Sequence, residues 1–310
     1  MKEKFLRELA DIQTGPFGSQ LHKEDYVADG TPIVTVEHLG NKMFSEQNLP
    51  RVSNTDKNRL KKYVLKQGDI VFSRVGSVDR CSYVDQKHDG WMFSGRCLRV
   101  RPTSEIDSEY LYYYFCLEET KQFVRNIAVG ATMPSINTKL LGEVVVTFPE
   151  LEQQKRISGI LSAIDSKIEV NQKINDNLEQ QAATYFQELF INNANPMWQF
   201  STISDLGTVV GGSTPSKTKP EYYTNNGIAW ITPKDLSINK SKFISHGEND
   251  ITELGLKNSS ATVMPKGTVL FSSRAPIGYI AIASNEVTTN QALSLLYLTR
   301  KLEQRLYTFS

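Results

Sequence analysis

The apolar positions between residues 152 and 191 repeat with the spacing of one face of a long helix. Apolar or small residues and two asparagines recur in steps of three and four, at Ile157, Leu161, Ile164, Ile168, Asn171, Asn175, Leu178, Ala182, Tyr185 and Leu189. This spacing is typical of a coiled-coil seam. The stretch has no proline and a single glycine, Gly159, so it predicts an uninterrupted helix of about 60 Å.

Local signals mark both ends of this helix. Thr147 and Glu150 fit a capping box, with Pro149 in the first turn, where no backbone N–H is needed. Asparagines and a proline at residues 192–196 predict its end. The sequence therefore predicts a first domain at residues 1–148, a spacer helix at 149–193 and a second domain at 197–310.

Shorter apolar runs predict strands on both sides of the helix. In the first domain these runs lie at residues 33–37, 70–73, 81–84, 97–100 and 144–146, and many of their residues are β-branched. Residues 108–125 are rich in aromatic side chains and predict a buried helix, and residues 129–136 predict a glycine-to-proline loop. Strands and helices of this kind predict an α+β fold.

The order of these runs repeats after the helix. Residues 227–236 match residues 30–39 at an offset of 197, and residues 266–274 match 67–74 with one residue inserted, which pairs Arg274 with Arg74. A period near 200 residues predicts a duplicated domain. Only 36 residues follow Arg274, against about 75 between Arg74 and the helix, so we expect the second domain to be incomplete and the chain truncated or frame-shifted.

Composition and charge narrow the class of protein. The sequence has no run of eighteen apolar residues, so it predicts no membrane-spanning helix, and the charged N-terminus does not have the pattern of a signal peptide. Three cysteines, an odd number, predict reduced core thiols in a cytoplasmic protein. The net charge is only +1, but Lys57, Arg59, Lys61 and Lys62 form a basic run that could neutralise phosphates. A solvated helix or loop face is the alternative interpretation of that run.

Sequence signals for catalysis are poor. Residues 195–198 lack the second proline of the Asn-Pro-Pro-aromatic motif of amino-methyltransferases, and no glycine-rich turn opens a βα unit. Residues 211–217 lack the ending of a P-loop, and the four histidines have no metal-ligand spacing, so we take them as surface or loop residues. The sequence therefore predicts no catalytic residue and no metal site.

Four segments of the chain resemble the DNA-specificity (S) subunit of type I restriction-modification systems. They are residues 131–137, 149–157, 211–216 and 227–236. In that family two target-recognition domains each read half of a bipartite DNA sequence. Two long antiparallel helices separate them and dock the methyltransferase (M) subunits. This chain departs from that pattern because the second long helix is missing.

The resemblance implies a non-catalytic subunit that directs M subunits, and possibly the restriction (R) subunit, to double-stranded DNA. No cofactor is expected on this chain, because S-adenosylmethionine would bind the M subunit. The alternative is a non-reading interaction protein that sequesters M subunits through its long helix. A partner for the seam could come from antiparallel homodimerisation or a second S fragment; the other option is that the seam packs onto domains of the same chain.

Candidate DNA contacts are polar residues at strand ends and on loops, where side chains can reach base edges. At strand ends they are Ser73, Arg74, Ser273 and Arg274. The loop candidates are Ser19, Lys23, Glu37 and His38 in the first domain and Thr214, Ser216, Lys217, Lys219 and Lys234 in the second. A structural salt bridge is the alternative role for Arg74.

Overall fold

The chain folds into two compact units, Met1–Gln187 and Glu188–Ser310. A computed structural model describes residues 1–18, 20–199, 201–239, 241–274 and 276–298. Within these ranges, no helix has both the length and the apolar character needed to cross a bilayer.

The first unit combines strands with helices. Its elements are β1 (Lys2–Phe5), α1 (Leu6–Leu9), β2 (Ala10–Thr14), β3 (Tyr26–Val27), β4 (Thr31–Val34), β5 (Arg51–Val52), α2 (Asn54–Arg59), β6 (Ile70–Ser73), β7 (Cys81–Tyr83), β8 (Met92–Phe93), β9 (Cys97–Pro102), α3 (Ser108–Cys116), α4 (Glu118–Ile127), α5 (Thr138–Gly142), β10 (Val145–Phe148) and α6 (Leu151–Phe186). Strands form sheets in the orders β2-β9-β6-β7, β3-β5-β4-β8 and β1-β10.

Strand β6 is buried on both faces because it lies between two hydrophobic cores. Ile70 and Phe72 belong to one core, in which Phe72 meets Phe115 of α3 edge-on at 4.7 Å. Val71 points the other way into the second core, with Val34 of β4. Successive strand residues face opposite sides of a sheet, which explains why this strand reads as an unbroken apolar run.

Two predicted boundaries in the first unit are wrong. Strand β4 ends at Val34, and residues Val36–His38 form a 3₁₀ helix instead of continuing the predicted strand to residue 37. The capping box before the long helix is also absent, since Thr147 pairs with β1 and Glu150 is the N-cap without a side-chain bond. Pairing with β1 keeps the backbone extended up to Phe148, so the helix starts only at Leu151.

The long helix is present and is held at its start by a buried glutamine. Helix α6 covers 36 residues and continues as a π-helical segment, Gln187–Asn192. Gln154 accepts a hydrogen bond from the Asp107 N–H at 2.8 Å and donates to the Pro149 carbonyl at 2.9 Å. This glutamine therefore ties the first turn of α6 to the N-cap of α3.

The second unit repeats both larger sheets of the first. Its elements are α7 (Ile203–Leu206), β11 (Gly207–Gly211), β12 (Tyr223–Thr224), β13 (Ile228–Ile231), α8 (Pro233–Ile238), β14 (Phe243–Ile244), β15 (Asn249–Ile251), α9 (Glu253–Lys257), β16 (Val269–Ser272), β17 (Ile280–Ala283), β18 (Thr288–Thr289) and β19 (Leu293–Leu298). The sheets run β11-β19-β16-β17-β14 and β12-β15-β13-β18. Both strand orders recur, with β14 added beside β17, so the expectation of an incomplete second domain is not supported.

Candidate nucleic-acid interface

The strand register corrects the predicted match between Arg74 and Arg274. In β6, Phe72 lies opposite Cys81, and in β16, Phe271 lies opposite Ile280, an offset of 199 on both strands. At that offset Arg74 corresponds to Ser273, and the exposed Arg274 follows it by one residue. The predicted inserted residue is therefore not within the matched strand.

Ser73 is a structural residue and not the DNA contact that the sequence suggested. It is 1% exposed, and its hydroxyl donates to the Val75 carbonyl at 2.8 Å. Ser273 is exposed but also donates inward, to the Ala292 carbonyl at 3.2 Å. Burial of Ser73 follows from the two-sided packing of β6, which ends at this residue.

Arg74 is held on both sides of its backbone and along its side chain. Its N–H donates to the Arg96 carbonyl at 2.8 Å, and its carbonyl accepts from the Ile136 N–H at 2.9 Å. The guanidinium lies 4.9 Å from the centre of the Phe17 ring, and Nη1 donates to the Gly95 carbonyl at 3.2 Å. Among described residues it forms no salt bridge, and its Nε is buried without a hydrogen-bond partner.

Arg74 lines a pocket of about 410 Å³, which we call the Arg74 pocket. Its walls include Phe17, Tyr26, Thr35, Glu37, Arg74 and Arg96. The Glu37 carboxylate is exposed and accepts from the Thr35 hydroxyl at 3.1 Å. The pocket thus presents a fixed guanidinium, a second arginine and an acidic acceptor to one space.

Phe17 and Arg96 were missed as candidates by sequence reasoning. A usable signal lies in the two glycines beside them. A Cβ on Gly95 would lie 2.4 Å from the Pro16 carbonyl oxygen, and a Cβ on Gly15 would lie 2.1 Å from that of Ser94. These approaches require glycine and place the loop of Phe17 against the loop of Arg96.

His38 is buried, so the prediction that it contacts DNA from a loop is wrong. It is 3% exposed; Nδ1 accepts from the Thr35 N–H at 3.0 Å, and Nε2 lies 3.1 Å from the Gln47 carbonyl. In the second unit Asp235 accepts from the Thr232 N–H at 2.8 Å in the same way. His38 therefore caps a turn. His88 is likewise buried, at 1% exposure.

The basic run is exposed at Arg59, Lys61 and Lys62 and half-buried at Lys57. Lys57 and Arg59 are in α2, and Lys61 and Lys62 are in the 3₁₀ helix Lys61–Tyr63. Arg59 pairs with Asp56 at 2.7 Å, and the Lys62 ammonium lies 4.8 Å from the centre of the Tyr63 ring. A surface ion pair of this kind contributes little and leaves the arginine able to exchange partners.

The loop candidates of the second unit are exposed, apart from the half-buried Thr214, and most of them have hydrogen-bond or ion-pair partners. Thr214 donates to the Gln291 side chain, Ser216 lies 2.9 Å from Thr218, and Lys234 pairs with Glu248 at 2.5 Å. Lys219 bonds the Tyr222 hydroxyl at 3.2 Å, which raises the pKa of the ammonium. Lys217 is exposed. Ser19 lies outside the described residues, and Lys23 begins the 3₁₀ helix Lys23–Asp25.

The first half of α6 contacts the rest of its own unit through polar side chains. Tyr113 of α3 donates to Asp165 at 2.7 Å. Lys42 donates to Tyr113, Glu109 and Ser162 at 2.8–2.9 Å. The contacts of Ser162 and Asp165 with the rest of the first unit are therefore polar.

The apolar face of α6 is left exposed, and it differs slightly from the predicted seam. Ile157 and Leu161 are half-buried, whereas the exposed stripe begins at Ile160. We call the exposed stripe the apolar stripe; its large side chains, each at least 50% exposed, are Ile160, Ile164, Ile168, Ile174, Leu178, Tyr185 and Leu189. The predicted Asn171, Asn175 and Ala182 are also exposed. From Ile164 onward each of these large side chains keeps at least half of its surface exposed in the described structure.

No group of three or more histidines, cysteines or carboxylates that could hold a metal ion occurs in the described ranges.

The chain as a whole matches the model of the "Type I restriction modification DNA specificity domain" over residues 1–180 and 195–309. Since the match reaches residue 309, the expectation of a truncated second half is not confirmed.

Among known proteins, this chain is similar to specificity subunits of type I restriction enzymes. It is 51% identical over 108 residues, 35% of the chain, to the MjaIX specificity subunit of Methanocaldococcus jannaschii, and 22% identical over 309 residues, 75% of the chain, to the HindI specificity subunit of Haemophilus influenzae. The matches span 25% and 67% of those two relatives. The crystal structure of a type I S subunit from M. genitalium has a similar fold, with a TM-score of 0.52 at 15% identity, covering 99% of this chain and 79% of that one.

Proposed function

The chain belongs to the type I restriction-modification DNA specificity family, and on that premise we propose that it recognises a bipartite sequence in double-stranded DNA. The observation that carries the proposal is the Arg74 pocket, which lies where loops of both larger sheets meet. The backbone hydrogen bonds that hold these loops together recur in the second unit. Polar side chains on rigidly held loops are the groups that read base edges. Each unit would read one half of the target.

The length of α6 supports a target in two parts. Thirty-six residues at 1.5 Å each make a helix of about 54 Å. One turn of DNA spans only about 34–36 Å. Reading units joined by such a helix can address separate groove segments, and the bases between them would remain unread.

In this proposal the chain is not an enzyme. M subunits would bind S-adenosylmethionine and perform the methylation, and an R subunit would join for cleavage. The specificity subunit would contribute the choice of site, and its basic run, residues 57–62, would neutralise phosphates on the first half of the target. No cofactor would bind this chain.

The apolar stripe is proposed as the place where another helix packs. An isolated helix of this length needs a partner for its apolar face. That partner would be a helix of an M subunit, of a second S fragment, or of an antiparallel second copy. In an antiparallel pair Asn171 and Asn175 would fix the register at some cost in stability.

The exposed stripe also fits the second candidate, a protein that sequesters M subunits without reading DNA. Binding of duplexes to the complex of this chain with its M subunit separates the two. A library of random duplexes is incubated with the complex at several salt concentrations, and the bound fraction is sequenced. A bipartite consensus is expected; binding without any consensus would favour sequestration, and methylation by this chain without an M subunit would refute both.

A further inference from the structure

The backbone around the Arg74 pocket is reproduced in the second unit. Three hydrogen bonds define this frame in each unit. In the first unit the N–H of Gly15 donates to the Cys97 carbonyl, that of Ser94 to Val34, and that of Arg74 to Arg96. In the second unit the N–H of Gly212 donates to the Leu293 carbonyl, that of Asn290 to Ile231, and that of Ser273 to Ala292. Their lengths are 2.8–3.2 Å in the first unit and 3.0–3.3 Å in the second. These three backbone hydrogen bonds are therefore common to both units.

Side chains that support this frame are alike in the two units. Gly15 corresponds to Gly212, and a Cβ on either would lie 2.1 Å from the carbonyl oxygen of Ser94 or Asn290 respectively. Thr35 corresponds to Thr232, and each donates its N–H to the side chain three residues later. Because these positions close the turns, a change at any of them would disrupt the pocket itself.

Side chains that line the pocket differ between the units. Phe17, Glu37, Arg74, Gly95 and Arg96 are replaced at the matching positions by Thr214, Lys234, Ser273, Gln291 and Ala292. One backbone thus presents an arginine with a carboxylate in the first unit and a hydrogen-bonded threonine–glutamine pair in the second. Such a pattern is expected where two copies of one reading site face different base pairs.

The donors of Arg74 are fixed before any ligand arrives. Its backbone is bonded in both directions, and its guanidinium rests on Phe17. Of the three guanidinium nitrogens of Arg74, only Nη1 has a hydrogen-bond partner among the described residues, the Gly95 carbonyl. A planar fork held in this way suits a base edge with two adjacent acceptors, and guanine presents N7 and O6 in the major groove.

The carboxylate of Glu37 argues against a phosphate as the ligand. An exposed carboxylate in the same pocket repels a phosphate but accepts a hydrogen bond from a base amino group. Among described residues it is not ion-paired with Arg74 or Arg96. A guanidinium fork and a carboxylate acceptor together are complementary to a G·C pair, whose cytosine offers its N4 amino group.

We propose that the Arg74 pocket is the base-reading position of the first unit, and that it reads a G·C pair, with Arg74 on the guanine and Glu37 on the cytosine. This inference rests on the proposed function, and it assigns the specificity of one position of the target to two residues. In the second unit it places the corresponding reading site at the pocket of Ser273 and Gln291 and not at Arg274.

The test is selection from the random duplex library with the complex of the full chain and its M subunit. For Arg74→Ala we expect the preference for one G·C pair in one half-site to fall about 10- to 100-fold, while the other half-site keeps its consensus. Arg74→Lys keeps the charge without the fork and should lose the same preference. Arg274→Ala, an exposed arginine outside the frame, serves as the control and should leave the consensus unchanged.

Each other outcome has a defined meaning. If Arg74→Ala weakens binding to all duplexes equally, Arg74 is a phosphate contact and the inference is wrong. If Arg74→Lys keeps the full preference, the planar fork is not what reads the guanine, and the inference is wrong as well. A consensus that changes in Arg274→Ala but not in Arg74→Ala would contradict the structural match. If the unaltered complex selects no consensus, the proposed function itself fails. Thermal unfolding of each variant shows whether a lost base preference comes from misfolding. If Arg74→Ala does not fold, the base preference of Arg74→Lys decides the outcome.

Discussion

The Tyr113 hydroxyl donates a hydrogen bond of 2.7 Å to Asp165, and this bond joins helix α3 to the first half of α6. Lys42 donates to the same hydroxyl at 2.9 Å, so the tyrosine links a loop, a short helix and the long helix. The orientation of α6 on the first unit is therefore fixed by polar groups.

Removing this hydroxyl should destabilise the first unit. For Tyr113→Phe we expect a loss of about 1.5–3 kcal/mol in the free energy of unfolding, because a hydrogen bond to a charged group is removed and Lys42 loses an acceptor. Tyr114→Phe is the control, since that hydroxyl donates to a neutral carbonyl of Val145 at 3.1 Å on an exposed edge. Urea unfolding of both variants measures the two losses in free energy of unfolding. Equal losses would show that the bond to Asp165 stabilises the unit no more than the bond to the Val145 carbonyl.

The same tyrosine gives a pH dependence. Burial, and then the bond to Asp165, raises the pKa of Tyr113 above its ordinary value of about 10. Its contribution to stability is fully present below pH 10 and is lost as the pH rises above 10, because the unfolded chain releases the proton first. Unfolding free energy measured from pH 9 to pH 11 should fall less steeply in Tyr113→Phe. Identical slopes of unfolding free energy against pH in the two proteins would contradict a raised pKa of Tyr113.

Thiol reactivity should separate the three cysteines. Burial raises the pKa of Cys97 to about 12 and that of Cys81 well above its usual range, whereas Cys116 is only half-buried. The thiolate is the reactive form, so at pH 8 a disulfide reagent should modify Cys116 first and the other two only on unfolding. Mass mapping of the labelled chain checks this order, with Cys116→Ser as the control. Early labelling of Cys97 would refute it.

His38 should matter for stability and not for DNA contact. His38→Ala removes the acceptor of the Thr35 N–H and opens a buried position, and we expect a loss of about 1–3 kcal/mol. The exposed His22→Ala should change little. His38→Asp should retain the cap because Asp235 performs it in the second unit. A His38→Ala variant of full stability but altered DNA preference would reverse this assignment.

The basic run should govern salt dependence. Replacing Lys61 and Lys62 by alanine should weaken binding to all duplexes by similar factors. The slope of log K against log salt should fall by about 0.9 for each phosphate that the chain no longer neutralises. The consensus of the complex should remain the same. An unchanged slope would support the alternative interpretation of this run as a solvated face.

The apolar stripe gives a matched pair of variants on α6. Leu178→Asp places a charge on the stripe, whereas Gln180→Asp places the same charge two residues away, about 200° around the helix. We expect the first to release the partner chain and the second to retain it. Sedimentation mass of the purified assemblies measures this. Retention by both variants would refute the stripe as a docking face.

Sequence reasoning was successful where the pattern was strong and local. The long helix, the duplication and the strands around residues 70–73 and 97–100 follow from periodicity that packing then uses. The match of Arg74 to Ser273 could not be predicted, because the sequence block "Ser-Ser-Arg" aligns equally well with an insertion. Only the register of Phe72 and Phe271 against their neighbours fixes it.

Interactions between distant loops account for most of the remaining misses. Phe17 and Arg96 are 79 residues apart in the chain and share a pocket only because Gly15 and Gly95 allow the two loops to touch. The burial of His38 depends on a carbonyl nine residues away, Gln47. Neither relationship leaves a periodic trace in the sequence.

Strand β6 is shared by both cores of the first unit, and it ends one residue before Arg74. Its side chains Ile70, Val71 and Phe72 cannot vary without disturbing packing, while position 74 lies beyond the last of them. If Arg74 reads a base as proposed, fold and base preference would be encoded in adjacent but separable codons. A lineage could then exchange the side chain at this position while the scaffold beneath it is inherited intact, and the serine at the matching place in the second unit would be one such alternative within this chain.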